Sequence, residues 1–303
     1  MYLPNYLPRR TIVFKSLIRK ALRAYLTYTP VKKGRYPLMM LVHGWASEPV
    51  TVEVETKDRG KMKLELEDEA QFPLYYNIYE WRDTPTIKKL AEGSRVILDI
   101  GGNIGQMALL FAQSAQKVHT FEPITELANR LQENISLNNL EGKVTLHRVA
   151  LTNTKGKITF GLPPKGNRGT GSTILADHLK EHLIEVDAIT LDEFVLQHNI
   201  TNVDFIKMDI EGAELFALQG MKELLSKEHP ILLLEMTIGM MTAAGYTPKQ
   251  LLDFLSGFGY HCYEITKNGP KGPLADPKPQ SENYCFLTKE HLSLKKVKEA
   301  MAT

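Results

Sequence analysis

A glycine-rich turn between a predicted strand and a predicted helix lies at residues 96–112. The apolar run 96–100 predicts the strand, Gly101-Gly102-Asn103-Ile104-Gly105 forms the turn, and 106–112 carries a helical pattern. A turn of this shape brings bare backbone and a helix N-terminus against a ligand. The segment therefore predicts an α/β domain with a ligand site at this turn.

A second acidic strand end follows. Residues 117–121 predict a strand that ends at Glu122-Pro123, about 17 residues past Gly105. At roughly this spacing, nucleotide-binding folds hold a ribose with a carboxylate. The turn and the carboxylate together predict a nucleoside pocket; the plain alternative is an ordinary βαβ unit that binds no ligand.

The residues around the first glycine bear on which nucleoside binds. The dinucleotide fingerprint, aligned to end at Gly105, needs glycine at position 100, where Ile100 stands, and this weakens an NAD-dependent oxidoreductase. Asp99 instead suits S-adenosylmethionine (SAM), whose ammonium and sulfonium favour a nearby negative charge.

Charge is distributed unevenly along the chain. The net charge of the 303 residues is +2, but residues 1–47 contain nine basic residues and no acid. Residues 11–28 predict a basic amphipathic helix, which could bind an anionic membrane or an acidic partner, or pack on its own domain. No apolar run approaches the roughly 20 residues of a membrane span. We expect a cytoplasmic chain, and peripheral contact with the inner face of a membrane through residues 9–35 stays open.

Cys262 and Cys285 are the only cysteines, too few for a disulfide scaffold and without zinc-site spacing. Buried free thiols in a reducing compartment are expected.

Four regions are predicted: a basic arm with the amphipathic helix (1–47), a small β lobe (48–90), the catalytic domain (91–290) and a C-terminal tail (291–303). Within the lobe, 51–55 and 62–67 alternate apolar and charged residues around a turn, which predicts a hairpin. The aromatic residues of 72–81 favour packing between lobes, and Tyr79 and Glu80 are expected to touch a ligand.

The remaining pattern predicts a doubly wound, mostly parallel sheet. A helix is expected at 124–138, a third strand at 144–151 that brings Ala150 and Leu151 beside the adenine, and further strands at 204–209 and 230–235. Two last strands, at 260–266 and 284–288, should form an antiparallel pair separated by a mobile Pro/Gly loop. Asp99, Glu122, Asp209 and Glu235 stand at strand ends and should ring one crevice.

The Gly/Pro-rich stretch 163–173 is too irregular for a helix or strand and is expected to contact substrate, notably through Gly171, Ser172 and Thr173.

With these motifs placed, the chain resembles the FkbM family of SAM-dependent methyltransferases over roughly residues 65–290. The resemblance rests on residues 98–105, 121–123, 171–173 and 206–214 and on the strand that ends in Glu235. It implies a class I, Rossmann-like methyltransferase fold and O-methylation of a hydroxyl on a sugar, glycolipid or polyketide-type product. It implies that Asp99, Gly101 and Gly105 form the cofactor turn, that Glu122 holds the ribose hydroxyls, and that Asp209 and Glu211 lie where the reacting groups enter. Together with the turn and strand pattern, the expected cofactor residues are Asp99, Gly101, Gly102, Asn103, Gly105, Glu122, Pro123, Ala150, Leu151 and Asp209.

Methyl transfer to an alcohol needs a group that takes the hydroxyl proton. Asp209 is the first choice for this base, with Glu211 or Glu235 as the second. The carboxylates could instead bind Mg²⁺, or Asp209 could simply cap the next helix. Lys207 is expected to point away from the pocket, with a salt bridge to one of the acids left open. His178 and His182 are alternative proton acceptors.

Two further function classes stay open. One is the NAD-dependent oxidoreductase, and the other is a non-catalytic SAM-binding adaptor whose basic arm contacts a membrane. A nucleic-acid methyltransferase is disfavoured, because the Asn/Asp-Pro-Pro-aromatic motif is absent where residues 209–212 stand.

Overall fold

The computed structural model describes residues 9–29, 34–46, 50–79, 83–162, 183–277 and 280–302. The chain divides into two compact units, Met1–Trp81 and Arg82–Thr303. Among the helices within these described ranges, none is both long and apolar enough to cross a membrane.

The first unit combines two long helices with a β hairpin. Its elements are α1 (Arg9–Tyr28), α2 (Arg35–Ala46), β1 (Thr51–Thr56), β2 (Gly60–Glu65) and α3 (Phe72–Tyr75). The strands pair antiparallel from Thr51 opposite Glu65 to Thr56 opposite Gly60, which confirms the predicted hairpin. The predicted amphipathic helix is also present as α1. The sequence pattern did not predict α2.

The second unit holds the large sheet. Its first half contains α4 (Thr84–Ala91), β3 (Val96–Ile100), α5 (Gln106–Phe111), β4 (Lys117–Phe121), α6 (Thr125–Leu137), β5 (Val144–His147), β6 (Ala150–Leu151), β7 (Gly156–Gly161), β8 (Leu183–Ile189) and α7 (Leu191–Gln197). Its second half contains β9 (Val203–Met208), α8 (Glu214–Gln219), α9 (Lys222–Lys227), β10 (Ile231–Thr237), α10 (Ile238–Ala243), α11 (Pro248–Ser256), β11 (His261–Thr266), β12 (Gly269–Leu274), β13 (Gln280–Leu287), a 3-10 turn (His291–Ser293) and α12 (Lys295–Met301).

The eight strands of this sheet lie in the order β12-β11-β13-β10-β9-β3-β4-β5. The five strands from β10 to β5 are parallel, whereas β13 and β11 join antiparallel. This arrangement confirms the predicted doubly wound sheet with an antiparallel end. The strand order reverses between β3 and β9, and open α/β sheets bind ligands at such a switch point.

The continuous apolar runs of the central strands are explained by burial on both faces. Successive residues of a strand point to opposite faces, and each face has its own apolar cluster. One cluster contains Leu98, Ile206 and Leu232, and the other contains their chain neighbours Ile97, Phe205 and Leu233. Cys262 and Cys285 are buried free thiols, as expected.

The single strand predicted at 144–151 is wrong, because two strands occupy it. β5 belongs to the large sheet, whereas β6 joins a separate three-stranded sheet in the order β6-β8-β7. Ala150 pairs in parallel with Ala188. A partner so distant in sequence leaves no trace in the local pattern of residues 144–151, and therefore the break was not predicted.

The mobile loop predicted after residue 266 is also wrong in part. Residues 269–274 form the edge strand β12 against β11, with Pro270 opposite Ile265. Proline is tolerated on an edge strand because the outer backbone needs no partner. β11 does pair antiparallel with β13, as predicted.

Candidate active site at the switch point of the sheet

The glycine turn brings the ends of three strands together. The N–H groups of Gly101 and Gly102 both donate to the carbonyl of Phe121, at 3.0 and 2.9 Å. Gly101 has φ of +82°, and a Cβ built on it would lie 1.9 Å from the carbonyl oxygen of Asp209. Glycine is therefore required here by the approach of β9 to β3, independently of any ligand.

Glu122 is fixed against this turn. One carboxylate oxygen accepts from the N–H of Asn103 at 2.8 Å, and the other accepts from the N–H of Ile124 at 2.9 Å. Glu122 is buried, and burial raises its pKa to about 7. The predicted acidic strand end is thus locked onto the glycine turn by backbone hydrogen bonds.

Asp99 is completely buried beneath the turn. Its Oδ2 accepts a hydrogen bond from the hydroxyl of Thr120 at 3.0 Å. Its Oδ1 has no partner in hydrogen-bond geometry, although the ammonium of Lys207 lies 3.9 Å away. Burial raises the pKa of Asp99 to about 6, against the opposing effects of Lys207 and Thr120. An unsatisfied buried carboxylate oxygen favours a nearby cation or donor.

Lys207 points into this acidic cluster. Its ammonium donates to the carbonyl of Gly101 at 3.2 Å and to Oδ2 of Asp209 at 3.4 Å. The expectation that Lys207 points away from the pocket is wrong, and the salt bridge left open is present. The reason is register: Lys207 lies opposite Asp99 in the parallel pair of β9 and β3, so both side chains leave the same face of the sheet.

A strained turn connects β9 to α8. Glu211 has φ of +53° and Gly212 has φ of +93°. Burial, followed by repulsion from Asp209 and Glu214, raises the pKa of Glu211 to about 8. A non-glycine residue in this conformation is uncommon, and such strain often occurs at functional sites.

Glu214 stabilises that turn. One oxygen accepts from the N–H groups of Ile210 and Gly212, at 3.1 and 3.2 Å, and the other accepts from the hydroxyl of Tyr246 at 3.1 Å. The N-cap position of α8 is held by Ala213. The alternative in which Asp209 caps this helix is therefore wrong, and the Asp209 side chain lines the cleft.

The cleft beside these acids encloses about 710 Å³ of space, including its open mouth. Its walls come from the switch point and from the small sheet. They are formed by Ile100, Gly101, Phe121, Glu122, Pro123, Ile124, Val149, Ala150, Leu151, Thr152, Ile158, Phe160, Asp209, Ile210, Glu211, Ala213 and Phe216.

Comparison with known proteins identifies the family. Residues 99–262 match the family described as "Methyltransferase FkbM domain". The chain belongs to this family.

Two curated relatives resemble this FkbM domain. Hexuronic acid methyltransferase AglP of Haloferax volcanii is 30% identical over 166 residues, which are 55% of this chain and 63% of the relative. 2-O-methyltransferase NoeI of Sinorhizobium fredii is 31% identical over 157 residues, which are 46% of this chain and 63% of the relative. The matches thus span less than two thirds of either relative. The crystal structure of methyltransferase FkbM from Methylobacillus flagellatus is 19% identical, with a TM-score of 0.43 over 65% of this chain and 44% of that chain.

Most of the predicted site residues of the FkbM domain meet at this cleft. Gly101, Glu122, Pro123, Ala150, Leu151, Asp209 and Glu211 line it. Asp99, Gly102, Asn103 and Gly105 lie in or beneath the turn behind that wall.

The crevice ringed by four acidic strand ends is only partly found. Glu122 and Asp209 line the cleft, but Glu235 does not. β10 continues two residues past Glu235 to Thr237, and Glu235 pairs there with Asn283 of β13. This continued pairing keeps Glu235 inside the ladder, not at the strand end.

Several predicted residues cannot be assigned to the cleft. Tyr79 belongs to the first unit, where the guanidinium of Arg59 lies 5.5 Å from its ring centre. Glu80, Gly171, Ser172, Thr173, His178 and His182 lie outside the described residues. Within the described ranges, no group of three or more His, Cys, Asp or Glu side chains could hold a metal ion, so Mg²⁺ gains no support.

The apolar wall of the cleft was missed by the sequence analysis. Ile158 and Phe160 come from β7, and Phe216 comes from α8. The pairing of β7 with β8 joins residues that are far apart in sequence, so no local pattern indicates it. Alternation in β7 was visible, but nothing local indicated which element its apolar face would cover.

Proposed function

We propose that this chain is a SAM-dependent methyltransferase that methylates a hydroxyl group of a sugar or another glycan-like acceptor. The observation that carries the proposal is the glycine turn with Glu122 fixed against it by the N–H of Asn103, at the switch point of an FkbM domain. The relatives AglP, a hexuronic acid methyltransferase, and NoeI, a 2-O-methyltransferase, support the acceptor class.

The residues present suit SAM. Asp99 places a completely buried carboxylate beneath the glycine turn, and its negative charge favours a cationic ligand nearby. Glu122 uses each oxygen for one backbone donor, and a carboxylate oxygen can accept a second donor such as a ribose hydroxyl. Leu151 and Phe216 give the cleft apolar walls for an adenine ring.

Gly101, Gly102, Asn103 and Gly105 would shape the turn beneath the aminoacyl end, while Pro123 and Ala150 would complete the nucleoside side. When bound, SAM supplies an electrophilic methyl group on a sulfonium.

Asp209 is the proposed base. It lines the cleft, and its side chain keeps 24% of its surface exposed. Lys207, at 3.4 Å, holds the carboxylate in place. Asp209 would accept the proton of the acceptor hydroxyl on its carboxylate and pass it on to water. Glu211, whose pKa is about 8, is protonated at neutral pH and would donate a hydrogen bond to the acceptor.

A labelled-methyl transfer assay tests this proposal. The full chain is incubated with methyl-labelled SAM and with hexuronic-acid-containing oligosaccharides, neutral sugars, glycolipids and polyketide-type alcohols, with and without chelator. We expect a labelled O-methyl sugar whose formation is unaffected by chelator. Loss of the product with chelator would support the Mg²⁺ alternative.

The same assay separates the other classes. Calorimetric binding of S-adenosylhomocysteine without transfer to any acceptor would favour the non-catalytic adaptor. Binding of NAD in place of S-adenosylhomocysteine would overturn the proposal. The match of residues 99–262 to a methyltransferase family already disfavours the oxidoreductase.

We also propose a cytoplasmic location with peripheral contact to a membrane through residues 9–35. The nine basic residues and absent acids of 1–47 support this contact, because anionic lipids attract such segments.

A further inference from the structure

Large apolar side chains are exposed mainly in the first unit. Among the described residues, eleven large hydrophobic side chains are exposed, and seven of them lie between positions 14 and 41: Phe14, Leu17, Tyr25, Tyr28, Tyr36, Met40 and Leu41. Tyr28 is 85% exposed and Leu41 is 73% exposed. Concentrated exposure of this kind marks an interaction surface, whereas scattered single residues need no explanation.

The exposed apolar residues of α1 share one side of the helix. They are Phe14, Leu17, Ala21, Ala24, Tyr25 and Tyr28. At 3.6 residues per turn, their positions fall within an arc of about 100°. Leu22 and Leu26, on a different side, are buried. The helix therefore presents two apolar sides, one for the protein core and one for solvent, which differs from an ordinary surface helix.

The second helix also exposes large apolar side chains. α2 packs against α1 in the first unit. It exposes Tyr36, Met40 and Leu41 while Met39 is completely buried. We call the seven exposed large side chains of α1 and α2 the apolar face of the first unit.

Charge determines what can cover this face. Residues 1–47 carry nine basic side chains and no acid. Lys20 is exposed and stands one helical turn from Leu17, at the border of the apolar face. Two copies joined through this face would bring their exposed Lys20 side chains toward each other, and this like-charge repulsion disfavours self-association. An anionic lipid surface offers both opposite charge and an apolar interior to this combination.

We infer that the apolar face of the first unit docks on an anionic lipid bilayer, with its aromatic and aliphatic side chains in the headgroup region and Lys20 among the lipid charges. The inference rests on the proposed membrane contact and names its surface and lipid class. It does not depend on methyl transfer, which resides in the second unit.

Co-sedimentation of the full chain with vesicles tests this inference. Vesicles of phosphatidylcholine alone are compared with vesicles that also contain phosphatidylglycerol, at low and high salt. We expect binding only to the anionic vesicles, weakened by salt. Lys20→Glu changes the local charge by two, so we expect the partition coefficient to fall about 30-fold. The paired change Tyr28→Ser and Leu41→Ser should lower it about tenfold or more.

Matched controls separate docking from folding and from general surface effects. Leu196→Ser removes an apolar side chain of α7 that is 77% exposed, and Lys222→Glu reverses an exposed charge on α9. Both controls should bind vesicles like the wild type, and all variants should keep the wild-type circular dichroism spectrum. If the paired variant misfolds, Leu17→Ser replaces it, and we expect this single change also to lower the partition coefficient.

Four outcomes would overturn the inference: no binding to anionic vesicles, equal binding to neutral vesicles, unchanged binding by the Tyr28/Leu41 variant, or equal losses in the controls. A concentration-dependent dimer that disappears in the Tyr28/Leu41 variant would assign the face to a second copy instead. Methyl transfer to a soluble acceptor is measured in parallel, so failure of docking and failure of the enzymatic proposal are read separately.

Discussion

The ammonium of Lys207 lies 3.4 Å from a carboxylate oxygen of Asp209, and Lys207 is only 5% exposed. The same ammonium donates to the carbonyl of Gly101 in the glycine turn. A buried lysine in this position links the strand that carries the proposed base to the turn that would carry the cofactor. Removing one partner of a buried charge cluster leaves the remaining charges uncompensated, which is costly.

Lys207→Met should weaken SAM binding at neutral pH. Lys207 lowers the pKa of Asp99 against the larger effect of burial, so its loss should raise that pKa and leave Asp99 more protonated near pH 7. A neutral Asp99 attracts the cofactor's cations less. We expect at least a tenfold loss of affinity at pH 7 and partial recovery at higher pH, measured by calorimetry. Lys222→Met on the surface is the control. Unchanged affinity across the pH range would contradict a role for Lys207 in cofactor binding.

Asp209→Asn should abolish proton removal and keep cofactor binding. General base catalysis typically raises the rate by a factor of about 10² to 10⁴, so kcat of the variant should decrease by a factor in that range. The affinity for S-adenosylhomocysteine should change little, because the amide keeps the shape of the side chain. The exposed Asp253→Asn on α11 serves as control. Wild-type methyl transfer by the Asp209 variant would show that Asp209 is structural.

The central part of the fold follows directly from local patterns. The glycine turn could be predicted from the sequence because the positive φ at Gly101 requires glycine. Glu122 could be predicted because it ends a strand at a spacing fixed by the βαβ unit. These features depend on residues that are close in sequence, and therefore the sequence alone indicated the elements that meet at the cleft.

The parts that were not predicted depend on distant pairing. Glu235 sits inside β10 because β13, almost fifty residues later, extends the ladder past it. The wall that includes Phe160 exists because β7 pairs with β8 across a long connection. Lys207 was assigned away from the pocket because its face depends on the register of β9 against β3, which no local pattern reveals.

Gly101→Ala should lower the free energy of unfolding by more than the ordinary cost of a positive φ at alanine. A Cβ at position 101 would lie 1.9 Å from the carbonyl oxygen of Asp209, which is backbone and cannot move easily. Gly93 has φ of +69° and open space around its Cβ, so Gly93→Ala is a matched control for backbone strain alone. We expect Gly93→Ala to lower the free energy of unfolding by about 1–2 kcal/mol. Gly101→Ala should cost several kcal/mol or prevent folding, as measured by urea denaturation. If both variants lost the same free energy of unfolding, the backbone at Asp209 would have moved away from the new Cβ without cost, which contradicts this prediction.

A pair of half-buried histidines should make the fold sensitive to acid. Nδ1 of His119 lies 3.0 Å from Nε2 of His147, and burial lowers the pKa of each to about 4. Their unfolded pKa is near 6.5, so the unfolded state binds more protons between these values. Their contribution to stability is complete above about pH 6.5 and is lost as the pH falls toward 4.

His147→Gln removes one of these titrations and keeps a side chain that can hydrogen-bond His119. The free energy of unfolding of this variant should decline less than that of the wild type between pH 6.5 and 4. The exposed His261→Gln should follow the wild type. Parallel pH profiles for the wild type and the His147 variant would contradict this origin of acid sensitivity.

Glu211→Gln should stabilise the protein at alkaline pH. Burial and the neighbouring carboxylates raise the pKa of Glu211 to about 8, above an ordinary value near 4.5, so the folded state binds the extra proton between these values. The effect of Glu211 on the pH dependence of stability is opposite to that of the two histidines. Stability is lost as the pH rises from about 4.5 toward 8, because Glu211 ionises more easily in the unfolded chain than in the folded protein. Glutamine mimics the protonated side chain and never ionises, so the variant should not show this decline. Urea denaturation from pH 5 to 9 measures the difference, with Glu133→Gln on the exposed side of α6 as control. If the Glu211 variant and the wild type lose stability in parallel up to pH 9, the pKa of Glu211 is not raised in the folded protein, and its proposed role as a neutral hydrogen-bond donor to the acceptor fails with it.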